Sequence, residues 1–212
     1  MPKVRRILAK SGYKAAFNQS ASRRRLIRAG ATLFAKKGYE ATSVREIVEK
    51  AGFTKPTLYY YFGSKKGLCE AMVKEGLEAL RGNLDRALSI AGPLRDRLRE
   101  VLWAHFQFCL QNRELTRFFH SLVFGPPQRI PTIDFKRYGH MCCDEIAELL
   151  RKEAARGNIV KGRTQEVARI LLGVITIYIT HQLNERRTLL SRNLAALIVG
   201  VVLDGIAKRP RA

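Results

Sequence analysis

Acidic residues are scarce in this chain: 18 aspartates and glutamates stand against 39 lysines and arginines, leaving a net charge of +21. So large an excess excludes a charge-balanced surface and points to a polyanionic partner, either nucleic acid or an anionic membrane. Cysteine is also rare. Cys69, Cys109, Cys142 and Cys143 are too few and too irregularly spaced for a disulfide framework in 212 residues. Long hydrophobic runs are missing. The longest, ILLGVITIYI (170–179) and LAALIVGVVL (194–203), are each about half of the roughly 20 residues that a bilayer span needs. The N-terminal MPKVRRILAKSGYKAAF has cations but no apolar stretch of signal-peptide length, so a cytoplasmic protein outside any membrane is expected. No internal repeat, low-complexity tract or sustained period-two alternation is present, which argues against solenoids and sheet folds.

What is there is helical. A hydrophobic fraction of 46% suits a globular core, and apolar residues recur at helical spacing almost throughout. Leu26, Ile27, Gly30, Leu33 and Phe34 share one stripe of a helix over 22–37 that Gly38 ends. Thr42 or Ser43 can begin the next helix, and Ser43 and Glu46 have capping-box spacing. Val44, Ile47, Val48 and Ala51 mark its buried face, and Gly52 permits a tight turn into a third short helix from Thr54. Ser64 caps a longer helix to about Ile90, and further helices are expected near 93–111, 113–123, 132–157, 164–186 and 192–207. The fold class is therefore all-α: an N-terminal three-helix helix-turn-helix module on a larger helical bundle. We divide it into a basic arm (1–19), the helix-turn-helix module (20–66) and a helical body (67–212).

The stretch GFTKPTLYYYFGSKKGL (52–68) carries the chemistry. Wound at about 100° per residue, it places Leu58, Tyr61 and Phe62 inward and Lys55, Pro56, Tyr59 and Tyr60 on the opposite arc, with Thr57 on its flank. Pro56 sits in the first turn, where its missing N–H is harmless, and its ring suits a thymine methyl. Threonine and tyrosine hydroxyls reach phosphates or base edges. Lys65 and Lys66 begin the next helix, where the helix dipole disfavours cations, and an external anion would relieve that conflict.

The segment RLIRAGATLFAKKGYEATSVREIVEKAGFTKPTLYYYFGSKKGLCEAMV (25–73) resembles the DNA-binding domain of tetracycline-repressor-like (TetR-family) transcriptional regulators. The resemblance is carried by Leu33-Phe34, Gly38-Tyr39, Thr42, Ile47, Gly52, Leu58-Tyr59, Phe62, Ser64-Lys65 and Leu68. Val48 and Phe53 depart conservatively from smaller residues in that pattern. It implies a homodimer on a near-palindromic double-stranded DNA operator, and a diverged C-terminal body that binds a small-molecule effector. Carried over by position, Arg45, Lys55, Pro56, Thr57 and Tyr59 would meet bases or nearby sugar-phosphate. Thr42, Ser43, Tyr60 and Lys65 would meet phosphate, and Thr54 belongs to the same DNA-binding set. Arg45 has a second reading as an exposed helix pair with Glu49. The arm holding Lys3, Arg5, Arg6, Lys10 and Lys14 either follows phosphates or is a solvated tail.

In the body, VARILLGVITIYIT (167–180) and LAALIVGVVLDGI (194–206) are apolar nearly all round, so dimerisation through the helices near 164–186 and 192–207 is expected. Gly173, Gly200 and Gly205 would allow close helix approach. Trp103, Phe106, Phe119, Tyr138, Met141 and Tyr178 are either core or the wall of a pocket for an apolar or aromatic effector. No acidic cluster is evident in the sequence to mark a cationic one. His105 with Cys109, and His140 with Cys142 and Cys143, could serve metal or redox sensing, although buried structural roles are commoner. No cofactor is implied, and the absence of oxyanion donors or a Gly-rich phosphate loop argues against an enzyme. The expected function is a ligand-responsive regulator, in the first instance a repressor. The alternative is an architectural protein that coats DNA without sequence preference.

Overall fold

The computed structural model describes residues 21–125, 135–159 and 162–206, with side chains of 135–140 and of 205–206 outside the description. Helix α1 covers 21–37, followed by α2 (Val44–Ala51), α3 (Lys55–Phe62), α4 (Lys65–Ser89), α5 (Leu94–Gln111), α6 (Arg113–Phe124), α7 (Phe135–Ala155), α8 (Thr164–Asn184) and α9 (Arg192–Ile206). The all-α expectation holds among the described residues, and helix ends fall close to those read from capping and breaker residues. The basic arm and most of the 125–131 loop lie outside the described residues.

Two compact units are present, and the chain passes from the first to the second within α4, between Glu75 and Gly76. The first unit closes over Leu26, Phe34, Ile47, Leu58, Leu68 and Met72, all fully buried. Burial of each such side chain contributes about 1.5–3 kcal/mol. α1 and α4 approach closely at Gly30, where a Cβ would stand 3.1 Å from Leu68 Cδ2.

The second unit packs α7 on α8 and α5 on α9. Its centre holds Leu98, Leu102, Phe106, Phe118, Ile146, Leu150 and Leu171. α8 buries Val167, Ala168, Leu171, Ile175 and Ile179. At 21 residues it is long and apolar enough to cross a bilayer, which the shorter uninterrupted run in the sequence had not suggested. Its end is held by arginines: Arg113 Nη2 donates to the carbonyls of Leu183 (3.0 Å) and Glu185 (2.6 Å). Buried Gln182 fixes the following turn. Its Oε1 accepts from the N–H groups of Leu189 (2.6 Å) and Leu190 (3.2 Å), while Nε2 donates to the Arg187 carbonyl (3.1 Å).

Candidate nucleic-acid interface

Helix α2 starts at Ser43, whose extended backbone and hydroxyl cap it. The hydroxyl accepts from the Glu46 N–H at 3.2 Å, and the Glu46 carboxylate accepts from the Ser43 N–H at 2.9 Å. Lys37 also pairs with that carboxylate. The Lys37 ammonium first, and then the Ser43 N–H and hydroxyl, hold the Glu46 carboxyl at about 2. α2 ends at Gly52, whose φ of 69° is left-handed backbone that a side chain would strain. The chain thereby turns directly into α3.

In α3, Leu58 is fully buried, whereas Tyr59 is 48% and Tyr60 73% exposed. Lys55 and Pro56 are exposed with them, and Thr57 is half-buried. Tyr61 and Phe62 are half-buried behind that surface. Tyr61 meets the Tyr60 ring edge-on at 5.0 Å, and the Arg23 guanidinium covers Phe62 at 5.2 Å. Thr54 precedes the helix but makes no side-chain cap. Its hydroxyl lies 3.1 Å from that of Thr57. The outcome is a short rigid helix that presents a cation, a pyrrolidine ring and two phenols on one arc.

Two residues are used differently from the sequence expectation. Thr42, expected at phosphate, is only 1% exposed, and its hydroxyl donates to the Gly38 carbonyl at 2.8 Å. Ser43 rather than Thr42 is therefore the cap. Lys65 turns inward: its ammonium donates to the carbonyls of Tyr39 (3.0 Å) and Thr42 (2.8 Å) and lies 4.3 Å from the centre of the Tyr39 ring. Carbonyls of the α1–α2 loop thus stabilise this cation at the start of α4, where the sequence reading invoked an outside anion. Arg45 takes the helix-pair arrangement, Nε donating to Glu49 Oε1 at 2.7 Å. With 76% of its side chain exposed, the pair is screened by water and salt and is readily exchanged.

Residues 26–72 match the family model for bacterial regulatory proteins of the tetR family. Over this segment the chain is similar to TetR-family regulators. It is 35% identical over 91 residues to the HTH-type transcriptional repressor KstR2 of Mycolicibacterium smegmatis, covering 42% of this chain and 44% of that one. It is 29% identical to the HTH-type transcriptional activator FasR of the same organism, over 62% of this chain and 60% of the relative. The chain thus spans about half the length of these curated relatives. The fold matches the ketosteroid transcriptional regulator KstR2 of Mycobacterium tuberculosis with a TM-score of 0.71 at 18% identity, covering 88% of this chain and 95% of that one.

Of the expected effector contacts, Trp103 and Met141 border different cavities. Phe106 is fully buried, and Phe119 is buried and stacked 6.4 Å from Phe108. Tyr178 is half-buried, and the side chain of Tyr138 lies outside the described residues. Trp103 lies under the Arg192 guanidinium at 5.0 Å and lines a hollow of about 160 Å³ with Glu100 and Gln107. Met141 lines a different cavity of about 600 Å³, with Leu88, Leu149, Arg97, Asp144, Glu145, Glu148 and Lys152. Three carboxylates of α7 therefore share one wall, correcting the expectation that no acidic cluster exists. Their i, i+1, i+4 spacing was the available signal, but only the fold shows that this face borders a cavity.

No group of three or more His, Cys, Asp or Glu side chains is arranged to hold a metal ion among the described residues. His140 has its side chain outside them. Burial pushes the Cys69 thiol to about 12 and the Cys109 thiol to about 11, so neither presents a thiolate at neutral pH. His105 is buried, with Nδ1 2.9 Å from the Val101 carbonyl, and desolvation lowers its pKa.

Proposed function

We propose that this protein is a cytoplasmic, non-enzymatic transcriptional regulator that binds a near-palindromic DNA operator as a homodimer and responds to a small molecule. The observation that carries the reading is the outer arc of α3, where Lys55, Pro56, Tyr59 and Tyr60 stand exposed over a fully buried Leu58. Such a helix fits the major groove, where base edges carry the sequence code. Ser43, Arg45, Thr54 and Thr57 supply the surrounding hydroxyl and guanidinium groups.

The dimer surface in this reading is formed by α8 and α9. Ile170 and Ile177 are 55% and 51% exposed on one, and Leu197 and Val201 are 62% and 68% exposed on the other. A Cβ placed at Gly173 would meet nothing within 4 Å, consistent with a surface open to a partner helix, while Gly200 is approached by Arg95 Nη1 of its own chain. Two recognition helices about 34–36 Å apart would read two half-sites, which one short helix cannot do tightly. The effector enters the second unit. The charged wall of the Met141 cavity favours a molecule with polar groups over a purely apolar or aromatic one. Its differential affinity for two dimer arrangements, about 1–3 kcal/mol, would alter operator affinity some 5- to 150-fold. Repression is the leading sign of regulation.

Footprinting of the full chain on DNA flanking its own gene, with and without candidate small molecules, tests this. Two-fold symmetric protection is expected. Uniform binding to any duplex, with a steep salt slope, would instead establish the architectural alternative.

A further inference from the structure

Beside the α2–α3 turn lies a second basic feature that α3 does not use. A hollow of about 350 Å³ is lined by Arg25, Arg28, Ala29 and Thr32 of α1 and by Lys50 and Ala51 of α2. Arg25, Arg28 and Lys50 are all exposed there. Among the described residues none of the three pairs with a carboxylate. Arg25 instead lies 4.8 Å from the centre of the Phe53 ring, and a Cβ at Gly52 would stand 2.9 Å from its Nη2. The Thr32 hydroxyl donates to the Arg28 carbonyl at 2.9 Å, so the polar supply of the hollow is predominantly cationic. Three like charges in one concavity repel each other unless an anion joins them.

Location selects the anion. The turn that Arg25 crosses leads within a few residues into Thr54 and Lys55, the leading end of the groove-facing helix. A helix in the major groove is flanked by the two phosphate strands that border it, about 12 Å apart. With α3 in the groove, a cationic hollow beside the turn that leads into it would lie next to one of those strands. We infer that the Arg25–Arg28–Lys50 hollow seats one phosphate of the DNA backbone, adding sequence-independent affinity to the reading done by α3. This rests on the DNA-binding function proposed above. The seat positions the module and carries no base specificity.

The test compares the full chain with the double variant Arg28→Gln, Lys50→Gln, leaving Arg25 on Phe53. Affinity is measured against salt for the footprinted operator and for a random duplex of equal length. The expected result is a slope of log K against log salt reduced by about 0.9 for each protomer bound, equally on both duplexes. Arg28→Lys, Lys50→Arg keeps the charge and should restore the slope, separating lost charge from lost fold, with a thermal melt as control. An unchanged slope with an intact melt would overturn the inference, as would a loss confined to the operator. Binding of inorganic phosphate that disappears in the double variant while the DNA slope stays the same would make the hollow a free-anion site and also overturn it. If the parent protein shows no preference for the operator but the slope loss persists on both duplexes, the seat stands and the sequence-specific regulator does not.

Discussion

Replacing Lys65 with methionine distinguishes two roles for one cation. The side chain would keep its length and lose its charge. Two charge-assisted hydrogen bonds, of 2.8 and 3.0 Å, would disappear, along with the contact over the Tyr39 ring. Hydrogen bonds to a charged group contribute about 1.5–3 kcal/mol each and a cation–π contact about 0.5–1 kcal/mol. Lys65 is half-buried and the freed carbonyls partly recover water, so a net loss of about 3 kcal/mol is expected. In a unit of this size, 1 kcal/mol corresponds to roughly 4–8 °C. The first unit should therefore melt about 12–24 °C lower. Trp103 lies in the second unit and does not report this, so far-UV circular dichroism and amide exchange at 39–42 are the appropriate measurements. Salt slopes of DNA binding, taken well below the lowered melting point, should match those of the parent. A Lys65→Met protein as stable as its parent, with a slope reduced by about 0.9 per protomer, would refute the internal role and restore a phosphate contact.

Further outcomes are expected from the same geometry. Tyr59→Ala should weaken operator binding about tenfold while leaving random-duplex affinity unchanged, read by competition binding, because its ring is exposed on the reading arc. Leu197→Glu together with Ile177→Glu should shift the protein from dimer to monomer in sedimentation equilibrium, by placing unpaired carboxylates on the α8–α9 surface. Acid should loosen the first unit through Glu46, whose folded pKa of about 2 lies below its ordinary 4.5. The stability it contributes is present above 4.5 and is lost as pH falls towards 2. Glu46→Gln should flatten that part of the acid transition followed by circular dichroism.

Most of the helical order was legible because helix boundaries depend on local chemistry. Ser43 with Glu46, Gly52 and Pro56 mark their positions through groups within four residues, and the structure uses each near the expected place. The two arcs of α3 were legible for the same reason, since eight residues at fixed pitch leave little choice of face. Thr42 and Lys65 were not. Both look like surface polar groups in sequence, and the carbonyls that Lys65 meets lie more than twenty residues away. For the aromatic residues of the body, helical spacing says that Phe106 and Trp103 face inward, not which hollow they border.

The sequence by itself determined a basic, all-α chain with a helix-turn-helix module, because charge, periodicity and capping act over one or two turns. Tertiary structure alone decided which cations are held by the protein itself, Lys65 among them. It also decided that Gln182 fixes the turn before α9, and that the carboxylates Asp144, Glu145 and Glu148 wall a cavity. Those outcomes depend on which carbonyls, rings and backbones meet across distant parts of the chain, and such meetings leave no periodic trace in the order of residues.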